Sequence, residues 1–158
     1  FAGLTGWAIT HPGQVPSGGG SYTFNAGAFD RVDRVPQTWN LGFERSWGAF
    51  AVWRLKPFAG ADITGRRSLY YFGGLRLDLR FANHLDIEPN FAVAHYLHGD
   101  GKDLGSPLEF RSGLNVGWRY RDGKRIGIAY HHMSHWILFG SSNPGTEILA
   151  LTFSMPLR

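Results

Sequence analysis

Near its C-terminal end the chain gathers residue types that can open an ester. In 125–135 the alternate residues Ile126, Ile128 and Tyr130 are apolar, and the same period continues into His132 and Ser134. In 147–155 the alternate residues Leu149, Leu151, Phe153 and Met155 are apolar, and one step back by two reaches Glu147. If both segments are strands joined through 136–145, they pair antiparallel. The imidazole, hydroxyl and carboxylate then share one face at one end of the hairpin. A serine hydroxyl is a weak nucleophile until a histidine takes its proton, and a carboxylate orients that imidazole and stabilises its charged form. His132 and Ser134, two residues apart on one strand face, lie within reach of each other. The competing reading is plain: His-x-Ser is a common tripeptide, and polar residues at a strand end often mark only an interface. A second rival is a metal site from His95, His98, His131 and His135. His131 and His135 share the opposite face, but no carboxylate–histidine zinc signature accompanies them.

The elements that would position these groups are strands. Period-2 alternation dominates, in segments of about ten residues. In 110–121 one face carries Phe110, Ser112, Leu114, Val116, Trp118 and Tyr120, and the other Arg111, Gly113, Asn115, Gly117, Arg119 and Arg121. Eight such segments are expected, at 21–30, 37–45, 49–63, 68–80, 85–97, 109–121, 125–135 and 146–156. Residues 1–20 read as an irregular lead-in to one domain over 1–158. Short turns are expected at 46–48, 81–84 and 122–124, and long connections at 98–108 and 136–145. Short turns at one end and longer loops at the other are the habit of outer-membrane barrels, although 64–67 is short for an outer loop.

Composition narrows the class. The 158 residues contain 22 Gly and no Cys, so disulfides and thiolate metal sites are excluded. Mean hydropathy is −0.20, and nothing approaches the roughly 18–20 unbroken apolar residues of a membrane helix. Membrane strands alternate, so a β-barrel stays open. No charged segment with an apolar core opens the chain, as expected of a processed mature protein and equally of a trimmed one. A net charge of +4 suits a polyanionic partner. The basic residues do not gather on one face, so nucleic acid is not an expected partner.

Alternation alone fits a soluble lipocalin-like barrel, apolar inside, as well as a membrane barrel, apolar outside. The polar face decides for the membrane. It mixes Arg54, Lys56, Arg76, Asp78, Arg80, Asp86, Glu88, Arg111 and Arg119 with Gly42, Gly74, Gly113, Gly117 and Gly127. An eight-stranded barrel has an interior just wide enough for side chains, and glycines between long paired charges fill it. On a solvent face that much glycine would cost about 0.5–1 kcal/mol per strand position with nothing gained. Trp39, Trp53, Trp118 and Tyr120 on the other face suit a lipid band and its aromatic girdles.

Four stretches resemble the PagL family of lipid A 3-O-deacylases: GSPLEFRSGLNVG at 105–117, GIAYHHMS at 127–134, NPGTE at 143–147 and, near the first strand, GAFD at 27–30. The likeness is strongest over 105–158; the middle of the chain agrees in rhythm more than in letters. It implies an eight-stranded antiparallel outer-membrane barrel with a polar interior, an apolar exterior and its site on the outer barrel surface. Ser134 is then the nucleophile, His132 the general base and Glu147 the residue that orients it. The reaction implied is hydrolysis of the ester holding a 3-hydroxyacyl chain at position 3 of lipid A, with no cofactor and no metal. One residue departs from the pattern. The family usually has Asn directly after the serine, assigned to the oxyanion hole; here His135 stands there, as an oxyanion candidate of different chemistry. Removing one oxyanion donor costs roughly 100- to 1,000-fold in rate. Arg31, Arg34, Arg66, Arg67 and Lys102, in the presumed outer connections, are candidates to meet lipid A phosphates, or are simply solvated loop charges. The alternative of another class is a non-catalytic outer-membrane barrel with a structural or adhesion role.

Overall fold

The computed structural model describes residues 19–30, 38–50, 55–81, 84–135 and 144–157. Their strands are β1 (Ser21–Phe29), β2 (Thr38–Ser46), β3 (Leu55–Thr64), β4 (Leu69–Leu77), β5 (Leu79–Phe81), β6 (Leu85–Leu97), β7 (Leu108–Arg119), β8 (Arg125–Ser134) and β9 (Thr146–Pro156). Each pairs antiparallel with its neighbours, and β1 pairs with both β2 and β9. Together with the β4–β6 pairing this closes the sheet on itself. The result is an eight-staved barrel without free edges, which is how strands satisfy their backbone groups in lipid. Among the described residues no helix is long and apolar enough to cross a membrane.

Nine strands make eight staves because one stave is interrupted. β4 and β5 both pair with β6, in one unbroken register: Arg76 opposes Asn90 and Leu79 opposes Ile87. The gap at Asp78 falls beside Pro89, which has no N–H to give the ladder. The Asp78 carboxylate meets Lys56 Nζ at 2.5 Å and Arg80 at 3.7 Å. The expected 68–80 strand is thus two strands, ending at Phe81. A second correction concerns the 46–48 turn and the 49–63 strand. Trp47 to Phe50 are not strand and β3 begins at Leu55; residues 51–54 lie outside the described ones. Trp47 N–H still reaches the Pro57 carbonyl at 3.0 Å and Phe50 N–H the Leu55 carbonyl at 2.9 Å. Residues 1–18 of the expected lead-in, with Arg31, Arg34, Trp53 and Arg54, lie outside the described residues.

The faces are as the alternation implies. Trp39, Leu41, Ile126, Ile128, Leu151 and Trp118 are exposed on the outside. Inside, the half nearer the 120–124 turn holds ion pairs: Arg76 with Glu44 and Glu88, Arg125 with Glu88 and Asp86, and Arg119 with Asp86. The half nearer the long connections holds Phe29, Tyr70, Phe72, Tyr96, Leu104, Met133 and Ile148. Where the halves meet, Arg111 lies 3.7 Å over the Phe72 ring and Arg76 4.3 Å over Phe58. The inward glycines make this filling possible. A Cβ at Gly113 would strike the His131 ring, and one at Gly117 would lie 2.8 Å from Arg125 Cδ.

Candidate active site

The site stands at the loop end of the β7–β8–β9 wall. Antiparallel pairing of β8 with β9 places His132 directly opposite Glu147. His132 Nδ1 lies 3.3 Å from Glu147 Oε1. The two side chains are 44% and 19% exposed, on the face that carries Ile126, Ile128, Tyr130 and Leu151 along the same strands. The carboxylate beside the imidazole selects which ring nitrogen turns towards it. With Nδ1 turned to Glu147, Nε2 is the nitrogen left for another partner.

Ser134 follows two residues along β8 with the same outward parity, and opposes Phe110 on β7. Unlike the outward-facing residues before it on β8, it is buried, at 3% exposure. Among the described residues no hydrogen bond joins it to His132. Catalytic contacts in ligand-free sites are often longer than in the reacting complex. His135 ends the run, fully buried, on the inward parity.

The remaining candidates separate. His131 is inward and bonds Asn115 Oδ1 at 3.2 Å through Nε2. His95 is exposed on the outer face of β6 and His98 in the loop that follows. Among the described residues no group of three metal-ligating side chains forms. Arg67 is 85% exposed and 3.8 Å from Asp100. Lys102 is not a surface charge: it is 10% exposed and its Nζ is 3.0 Å from Asp30 Oδ1.

Two neighbours of the site were not legible as such. Ser112 opposes His132 on its β7 side. Gly145, with φ of 58°, precedes the strand that bears Glu147. A Cβ on Gly145 would lie 3.1 Å from His132 Cε1 and 3.6 Å from Nε2, so the glycine leaves that edge of the imidazole open. Its signal in the sequence is only the Pro144-Gly145 pair, which reads as a turn. Gly145→Ala is expected to lower turnover about tenfold, because the methyl strains the backbone and crowds His132 Nε2. Steady-state rates on lipid A, with heat-modifiable migration to show that the barrel is intact, check this; an unchanged rate refutes it.

Comparisons with known proteins bear on the family and the fold. The family model described as lipid A 3-O-deacylase (PagL) matches residues 17–156. No curated protein matches the sequence. Among solved structures, the crystal structure of the outer membrane enzyme PagL aligns with a TM-score of 0.62 at 23% identity, covering 87% of this chain and 99% of that one. Neisserial surface protein A aligns with a TM-score of 0.60 at 8% identity, over 87% and 97% of the two chains. A de novo designed transmembrane β-barrel does so with a TM-score of 0.60 at 9% identity, over 88% and 97%. The structural likenesses establish the small membrane-barrel fold, and the family match over most of the chain goes further: this chain belongs to the PagL family of lipid A 3-O-deacylases and is an enzyme of the outer membrane.

Proposed function

We propose that this enzyme hydrolyses the ester of the 3-hydroxyacyl chain at position 3 of lipid A through Ser134, His132 and Glu147, on the barrel surface that faces lipid. The observation that carries the reading is the His132–Glu147 pair, 3.3 Å apart, on an otherwise apolar outer face. Ionisable groups are costly beside lipid, and a site that meets its substrate within the membrane gives them a reason. In this reading Ser134 Oγ attacks the ester carbonyl while His132 Nε2 takes its proton. Glu147 holds Nδ1–H and stabilises the imidazolium. The imidazolium then protonates the sugar O3 as the C–O bond breaks, leaving the 3-hydroxyacyl group on Ser134. Water, deprotonated by the same imidazole, releases the free 3-hydroxy fatty acid. The oxyanion of each step needs N–H donors. His135 and the amides after Ser134 are the candidates; residues 136–143 of that stretch lie outside the described ones. Arg66 and Arg67, in the β3–β4 connection, are the candidates to meet lipid A phosphates.

The test is mass spectrometry of lipid A incubated with the protein in detergent. One 3-hydroxy fatty acid should be released, with the matching loss from lipid A. Lipid A already lacking the position-3 chain should be unchanged. Loss of a different chain, or no loss, overturns the reading in favour of a barrel that binds or adheres without catalysis.

A further inference from the structure

The triad acid sits almost at the start of its strand. β9 begins at Thr146, directly after Gly145 and its positive φ, so a single strand residue precedes Glu147. On one side β8 holds this end, through His132 opposite Glu147 and Met133 opposite Thr146. On the other side the last regular pair with β1 is Phe29 with Ile148, one residue short of Glu147. Asp30 completes that side. Its backbone N–H donates to the Glu147 carbonyl at 2.8 Å.

The Asp30 side chain does not go where alternation sends it. Following Ala26 and Ala28, it has outward parity, on the face where Glu147 stands. A second carboxylate there would repel the first and compete for His132. Instead Asp30 adopts φ of 61°, a left-handed conformation uncommon for non-glycine residues but tolerated best by Asn and Asp. Its carboxylate ends buried over the barrel rim, where Oδ1 accepts from Lys102 Nζ at 3.0 Å and from the inward Thr146 Oγ1 at 3.4 Å. Lys102 comes from the long β6–β7 connection, and its own carbonyl accepts from the Tyr96 hydroxyl at 2.9 Å. One residue thus grips both Thr146 and the backbone of Glu147, and is itself tied to a loop from across the barrel. Strained backbone of this kind persists only where the surroundings determine it, and it collects at functional sites.

We infer that Asp30 and Lys102 are positioning residues for catalysis: their buried ion pair holds the start of β9 so that Glu147 meets His132. This rests on the Ser134–His132–Glu147 reading. Neither residue touches substrate.

The experiment measures kcat, KM and the pH dependence of kcat on lipid A in detergent for the full chain. The variants are Asp30→Ala, Asp30→Asn, Lys102→Met and Glu147→Gln, with the double variant of Asp30→Ala and Glu147→Gln. Asp30→Ala and Lys102→Met should lower kcat on the order of tenfold to a hundredfold, with KM nearly unchanged. Asp30→Asn should recover part of the loss, since Asn accepts the left-handed backbone and keeps an oxygen for Thr146. A displaced Glu147 no longer stabilises the imidazolium, so the acid limb of kcat should move to lower pH, as in Glu147→Gln. In the Glu147→Gln background, Asp30→Ala should cost little more. If Asp30→Ala does not fold, Lys102→Met, in an outer connection, carries the same expectation. Equal losses with and without Glu147, a rise in KM alone, or wild-type kcat in Lys102→Met overturns the inference and leaves the triad standing. Wild-type kcat in Glu147→Gln overturns the triad reading and this inference with it.

Discussion

Ser134→Ala is expected to abolish fatty acid release from lipid A, by roughly 10⁴-fold or more, while the barrel folds as before. The magnitude follows from the role. Without Oγ there is no acyl-enzyme, and what remains is binding and whatever oxyanion donors the site supplies. Groups that act as one unit lose activity as one unit. His132→Ala should therefore be about as inactive as Ser134→Ala, and the double variant hardly worse than either. Stability should change little. Ser134 is buried, but its hydroxyl makes no hydrogen bond among the described residues, so Ala leaves no partner stranded. Mass spectrometry of the released acid gives the rate, and heat-modifiable migration reports the barrel. Substantial activity in Ser134→Ala with an intact barrel would remove the nucleophile assignment while leaving family and fold untouched. An unfolded Ser134→Ala would instead show that the buried hydroxyl is structural.

What the sequence makes legible here is whatever period 2 controls. The faces of 110–121 and 125–135 are visible because Phe110 to Tyr120, Ser112 apart, and Ile126 to Tyr130 alternate, and the barrel keeps both. The pairing of His132 with Glu147 follows once the two strands are known to be a hairpin. The inward glycines are legible as space for long charges, and Gly113 against His131 is that space. Features set by a single backbone angle or by a distant contact are not legible. Asp30 is outward by parity and inward in fact, because one positive φ reverses it. Lys102 looks like a solvated loop charge until the fold brings it to Asp30, 72 residues away in sequence. The break at Asp78 is not a property of 68–80 at all, since its cause lies at Pro89 on the neighbouring strand. The expected start of β3 at 49 is too early at Ala49 and Phe50, because the apolar run 49–53 carries no turn signal to mark where the strand begins.

The interior ion pairs carry the largest expected effect on stability. Arg76 is 2% exposed, pairs with Glu44 through one nitrogen and with Glu88 at 3.4 Å through another, and stacks on Phe58. Arg76→Met keeps the length and apolar stem but strips a cation from two buried carboxylates. Breaking a buried pair costs about 3–5 kcal/mol, because the partner's charge is left in a medium that solvates it poorly. Here the lower end is expected. Arg111 still faces Glu44 at 3.6 Å, and Arg125 still meets Glu88 at 2.5 Å. The control is Lys124→Met. Its pair with Asp122, at 2.9 Å, is closer than that of Arg76 with Glu88, but both side chains are about half exposed in the 120–124 turn. Water screens such a pair, so its loss should cost far less than that of the buried pair. Burial rather than contact length is thus expected to decide the loss. Urea unfolding in lipid vesicles, compared at equal m-values, measures both. An Arg76→Met barrel as stable as Lys124→Met would mean that the interior is wet enough to screen its charges. Its polar filling would then be solvent-like, and the register that brings His132 to Glu147 would rest on the backbone ladder alone.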